Sequence, residues 1–177
     1  NPCMSDFGFW ILDFGLADTT LPHPLDEVCV LRFAVLENLG ARVAAMSEIV
    51  DGDCRLHHDL GVESRLRFFE SCGVDPMHVT TGKQTHSANV AIVSEGDRGR
   101  GGNAGLPAFP DTDGLVTKIA ALPLVISIAD CVPVFLLDPA NNAIGLVHAG
   151  RVGTENSIAL VALEVMRDAF GTRAHDV

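Results

Sequence analysis

The sequence predicts a mixed α/β domain with a largely antiparallel sheet and flanking helices. Three observations carry this. Four short apolar, strand-like runs follow one another between residues 115 and 148. Residues 155–170 (ENSIALVALEVMRDAF) place Ile158, Val161, Val165 and Met166 on one broad apolar helical face. Hydrophobic residues make up 47% of the 177, enough for one sizeable core and against disorder.

Taken in order, the first 25 residues are turn-rich (Pro2, Gly8, Gly15, Pro22, Pro24) around a Phe/Trp/Ile/Leu cluster. They read as a weakly defined strand and loop. Residues 28–36 are strand-like by their β-branched and apolar content, with a short helix over 31–39 as the alternative. Residues 62–72 carry Val62, Leu66 and Phe69 at helical spacing, and Gly73 is a suitable stop. Residues 78–84 and 90–93 read as two strands around a turn at 87–89. Residues 96–110 hold five glycines and two prolines. That composition reads as a mobile linker or a loop of lid length, with Arg98 and Arg100 either solvated or reaching an anion. Strands follow at 115–117, 124–129, 134–137 and 143–148. The long helix then begins at Thr154 or Glu155 and ends at Gly171. No internal repeat or low-complexity tract appears, so the reading is one domain over 1–177.

A formal net charge of −11 argues against nucleic acid or an anionic membrane surface as the main partner. No run approaches the roughly 18 apolar residues of a membrane span. The start, NPCMSDFGFW, lacks a basic n-region and reads as no signal peptide. Five cysteines at irregular spacing give no disulfide framework. Free thiols point to a reducing compartment, the cytoplasm. Cys3, Cys29, Cys54 and Cys72 read as small buried hydrophobes.

Cys131 and His148 stand out. Asp138-Pro139-Ala140-Asn141-Asn142 is turn chemistry, because Pro presets φ and Asn tolerates the left-handed region. The flanking strands then pair as a hairpin. With the turn centred between Ala140 and Asn141, Cys131 falls opposite Gly150. His148 lies two residues away on the same face. Thiol and imidazole converge at one end of the hairpin. Three readings stand: a buried thiol with a satisfied histidine, a Cys–His nucleophile pair, and a metal site that needs a further ligand. His86, at the end of a strand in TGKQTHSANV, offers that ligand. A His/Cys/His set with a fourth position open has the form of a catalytic zinc site. His57 and His58 sit in a polar stretch and read as solvated. His23, His78 and His175 have little to recommend them.

Four motifs, QTHS (84–87), TDGLVT (112–117), ADCVPVFLLD (129–138) and VHAGRVGT (147–154), together resemble the laccase-domain family, long labelled multicopper polyphenol oxidase. The resemblance implies purine nucleoside phosphorylase and adenosine deaminase activity, with nucleoside and phosphate as small-molecule partners. It implies a zinc held by His86, Cys131 and His148, and a fold similar to that of cysteine deamidase toxins. Copper is disfavoured, since a multicopper centre needs more histidines than the seven present. Asp130 is expected to orient a ligand, and Asp113 to do similar work or to contact substrate. Thr154 is expected to cap the long helix and to leave its N-terminus to an anion.

The family motif HAGWRG reads HAGRVG here, with Arg151 at the Trp position and Val152 at the Arg position. Phosphate recognition is therefore expected to weaken unless Arg151 turns inward. On an extended chain it would face away. The chain stops at Val177, short of the family's usual Gly-Pro-containing segment, which reads as a C-terminally shortened domain. The expected function is a zinc-dependent enzyme on purine nucleosides. Its rivals are a metal-free cysteine hydrolase or amidase using Cys131 and His148, and an inactive remnant.

Overall fold

A computed structural model describes residues 8–14, 30–47, 62–102 and 105–177. Cys3, Cys29, Cys54, His23, His57 and His58 lie outside the described residues.

The mixed α/β class holds, but the strands form two sheets rather than one. The first has five strands: β1 (Gly8–Phe14), β2 (Val30–Arg32), β3 (Ala41–Ser47), β4 (Thr80–Thr81) and β7 (Leu124–Ile128), in the order β2-β3-β1-β7-β4. The second has four: β5 (Val90–Ile92), β6 (Gly114–Thr117), β8 (Val132–Asp138) and β9 (Ala143–Ala149), in the order β5-β6-β9-β8. Pairing is antiparallel except for β4 with β7 and β5 with β6, which are parallel.

Side-chain alternation explains the layering. Leu12, Ala44, Leu124, Ile126, Leu115, Ile144 and Leu146 fill the space between the two sheets. Their neighbours point outward, as a period of two requires. From the first sheet, Ile11, Val43, Ala45 and Val125 meet Phe68 and Phe69 of helix α2 (Val62–Ser71). From the second, Val116 and Val147 meet Ile158, Ala162 and Met166 of α4 (Ile158–Phe170). The result is helix on sheet on sheet on helix, with both faces of each sheet covered. Trp10, Phe33 and Phe135 bridge the sheets, with ring centroids 5.4–5.7 Å apart. Arg42 of β3 donates to the buried Asp13 of β1 and, at 3.1 Å, to the Gly73 carbonyl just past α2.

Several sequence expectations are corrected. The N-terminal cluster contains β1, an interior strand bonded to both β3 and β7. β3 was missed because ARVAAMS has few β-branched residues. Residues 28–36 divide into β2 and a short helix, α1 (Ala34–Asn38). β4 and β5 are not a hairpin, because they belong to different sheets. The long helix is broken: α3 (Arg151–Glu155) precedes α4, and Ser157 sits between them in the left-handed region at φ 57°. Thr154 therefore lies inside α3 and caps nothing, and α3 starts from Gly150.

The glycine-rich stretch is held down rather than hanging free in its described part. Ser94 and Asp97 form a capping box, the Gly99 amide donates to Thr80 Oγ1, and the Thr81 amide donates to the Arg100 carbonyl. Arg100 stacks on Phe109 at 4.6 Å. Two of its glycines, Gly101 and Gly102, serve close approach. A Cβ at Gly102 would stand 2.5 Å from the Val79 carbonyl oxygen. α2 ends as expected, with Gly73 at φ 65°.

Candidate metal centre

The hairpin places Cys131 and His148. Asp138 pairs with Ala143 and Val132 with Ala149, so the expected register is the observed one. The turn is held by Asp138, whose carboxylate accepts from the Asn141 amide at 3.0 Å and the Asn141 side chain at 2.8 Å. Cys131 lies in the short link where the chain passes from β7 of the first sheet to β8 of the second. His148 is on β9, buried against Asp113.

His86 arrives on a second crossing between the sheets, residues 82–89. Gln84 anchors this segment. Its side chain donates to the Ser127 carbonyl and accepts from the Ser127 amide, both at 2.8 Å. A carboxamide thus continues the β4–β7 ladder where the backbone has left it. Gln84 opens the QTHS motif, but its anchoring role has no local signal in the sequence, because its partner Ser127 lies 43 residues away.

The donor atoms of His86, Cys131 and His148 all lie within 4.8 Å of one another, the one such group of three among the described residues. The two rings meet edge to face with centroids 4.9 Å apart. His86 is exposed, Cys131 half-buried and His148 buried, so the group opens to solvent on the His86 side. Gly150 keeps the space clear. A Cβ there would stand 2.8 Å from His86 Cδ2 and 3.5 Å from both Cys131 Sγ and His148 Cε1.

Two further features fit a metal. His148 Nδ1 is taken by Asp113 Oδ1 at 2.7 Å, which leaves Nε2 as the ring nitrogen free to bind. Asp113 is buried, which pushes its carboxyl up. Hydrogen bonds from His148, Thr85 and Ser87 outweigh this and hold it well below the ordinary carboxylate value. One thiolate and two imidazoles form a single-ion donor set with soft character, and three protein ligands leave a position open.

The other candidates fall as follows. Both carboxylate oxygens of Asp113 accept from protein donors: Thr85, His86, Ser87 and His148. Asp130 is exposed and points no hydrogen bond at a member of the triad. Arg151 begins α3 rather than an extended segment. Its side chain is 80% exposed and pairs with Glu155 at 3.1 Å. His78 pairs with Asp75 and His175 with Asp176, both away from the triad.

Fold and site together define a two-sheet α/β protein with a His/Cys/His donor triad at the junction of its sheets. Residues 58–177 match the family model described as multi-copper polyphenol oxidoreductase laccase, and the chain belongs to this family. It is 38% identical over 103 residues to the purine nucleoside phosphorylase ORF3 of Streptomyces griseus, covering 58% of this chain and 39% of that one. It is 32% identical over 105 residues to adenosine deaminase RL5 of an unknown prokaryotic organism, covering 59% and 40%. The crystal structure of the Bacillus licheniformis hypothetical protein YfiH superposes with a TM-score of 0.63 at 31% identity, covering 69% of this chain and 45% of that one. The chain thus spans 39–45% of the length of these relatives. Among the described residues, no helix is long and apolar enough to cross a membrane.

Proposed function

We propose that this chain carries the catalytic centre of a zinc-dependent enzyme acting on purine nucleosides, with His86, Cys131 and His148 as the zinc ligands. The observation that carries this is the convergence of three donors with His148 Nδ1 already committed to Asp113. When bound, zinc supplies Lewis acidity at the open position, the chemistry that activates water near neutral pH. The chain's own residues do the rest. Asp113 keeps the Nδ1 proton of His148 in place, Gly150 leaves room between the rings, and the exposed edge of His86 faces incoming substrate.

Deamination of adenosine is favoured over phosphorolysis. Deamination needs only water. Phosphorolysis needs an anion held at the site, and Arg151 is turned to solvent and to Glu155. The names of the relatives, purine nucleoside phosphorylase and adenosine deaminase, support a nucleoside substrate for either reaction.

A second reading rests on the same geometry. Asp113, His148 and Cys131 stand in the order of a nucleophile triad: carboxylate on Nδ1, Nε2 free, thiol beside it. One experiment separates them. The purified chain is assayed for metal by element-resolved analysis, and adenosine is supplied with and without phosphate while inosine and adenine are followed separately. Stoichiometric zinc, inosine as the main product and loss of both in Cys131→Ala are expected. A metal-free chain with a reactive thiol supports the nucleophile reading. Adenine formed only with phosphate, and lost in Arg151→Ala, overturns the preference for deamination.

A further inference from the structure

Asp113 reaches both histidines of the triad. Its Oδ1 accepts from His148 Nδ1 at 2.7 Å and from the His86 backbone amide at 3.1 Å. Its Oδ2 accepts from the Thr85 amide at 3.1 Å and from the Ser87 amide and hydroxyl, each at 2.8 Å. Three consecutive amides thus converge on one buried carboxylate, an anion-binding concavity filled from within the chain. Such convergence requires a residue in the left-handed region, and that residue is His86, at φ 63°. The backbone of Asp113 joins in. Its carbonyl accepts from the His148 amide at 2.7 Å, and its amide donates to the Asn89 carbonyl at 3.0 Å.

We propose that Asp113 is a positioning residue that sets both ligand histidines at once, fixing the ring of His148 and the backbone turn that aims His86. The proposal rests on the metal-site reading of the triad. The chemistry is one-sided, because a carboxylate in this position only accepts. His148 must then carry its proton on Nδ1 and present the Nε2 lone pair to the metal. The amides of 85–87 must all point inward, which turns the His86 side chain out towards Cys131. A carboxamide of the same shape cannot do both. Its oxygen accepts on one side only, and its NH2 group faces donors on the other. With NH2 towards His148, the ring takes the other tautomer and Nε2 carries a hydrogen. With NH2 towards Thr85 and Ser87, the turn under His86 loses its acceptor. A carboxylate that merely satisfied a buried turn would leave the tautomer of His148 indifferent to this substitution.

The test compares the wild-type chain with Asp113→Asn, using cobalt(II) alone as the probe and nuclear magnetic resonance of the metal-free proteins. The wild type is expected to give thiolate-to-cobalt absorption, an Nδ1–H tautomer at His148 and downfield amide protons at Thr85, His86 and Ser87. Asp113→Asn is expected to bind cobalt about 10- to 100-fold more weakly. It should also lose the tautomer or the downfield amides. An unchanged cobalt affinity and spectrum in a folded Asp113→Asn chain overturns the proposal. So does an Nε2–H tautomer at His148 in the wild type, a measurement that stands even if the variant does not fold. A wild-type chain that takes up no cobalt overturns the metal reading instead, and the tautomer and amide shifts still decide for or against Asp113.

Discussion

Gly150 has φ −72° and ψ 172°, a backbone that any residue adopts, so space and not conformation requires glycine there. The first atom an added methyl meets belongs to the ring of His86, an exposed side chain able to swing away. Gly150→Ala is therefore expected to keep the fold and spoil the site. Its unfolding midpoint should move little, while zinc affinity falls at least tenfold as His86 is displaced. Isothermal titration with zinc beside a thermal melt checks this, and full affinity would show that the ring has room the structure does not suggest. At this scale the sequence was most legible for Cys131 and His148. A tight turn fixes register over a short span, and period-two alternation then fixes the face. Arg151 was harder. Its orientation depends on whether the chain after Gly150 is extended or helical, and the string HAGRVG does not contain that choice. Asp113 was legible as an acid near the site. That it gathers three amides was not, because those donors come from a segment some 25 residues earlier that only the tertiary fold brings close.

At the scale of elements, the two faults in the helix reading share one cause. The apolar spacing of 155–170 is continuous, so periodicity cannot report a break that lies in one dihedral. Ser157 holds that break in the left-handed region. Left-handed backbone costs an L residue roughly 1–2 kcal/mol, while glycine adopts it freely at some entropic cost in the unfolded chain. Ser157→Gly is expected to stabilise the protein by about 0.5 kcal/mol, read from urea unfolding. A loss of stability would mean that the α3–α4 junction needs the serine side chain. The β8–β9 turn gives a pH test. Burial pushes the Asp138 carboxyl up, but the neighbouring Thr172 hydroxyl, the Asn141 side chain and the amides of Asn141 and Ala140 bring it below the ordinary value. A carboxyl lowered on folding stabilises above its unfolded pKa, roughly 4, and loses that contribution as the pH falls through its folded value. Asp138→Asn is expected to cost about 1 kcal/mol at pH 7 and the same at pH 5. The gap should narrow below about pH 4. A constant gap down to pH 2 would show that the charge contributes nothing and that only the shape of the turn matters.

At the scale of the whole molecule, the division into two sheets was not legible, and the reason is range. β1 pairs with β7, and β6 with β9, through contacts that local propensity does not encode. The same partition explains where the site sits. Among the described residues the chain crosses between the sheets at 82–89, delivering His86, returns between β6 and β7, and crosses again between β7 and β8, delivering Cys131. His148 lies on β9 and Asp113 directly precedes β6, the two interior strands of the second sheet. A metal held by the triad therefore ties together the two crossings and a strand, so its binding energy is also cohesion between the sheets. Ligand that binds only the folded state stabilises it by mass action, about 2.7 kcal/mol at a hundredfold excess over the dissociation constant. For a chain of this size that is a rise of about 5–10 °C in Tm. Zinc titrated into chelator-treated protein is expected to raise Tm by that amount, and EDTA to reverse it. Cys131→Ala should remove most of the shift while melting only a little below the metal-free wild type, because the thiol is only half-buried where it packs against the core between the sheets. A rise of equal size in Cys131→Ala would place the stabilising metal elsewhere in the molecule. No rise in the wild type, with the triad intact, would mean that the two crossings are held by Gln84 and Asp113 alone.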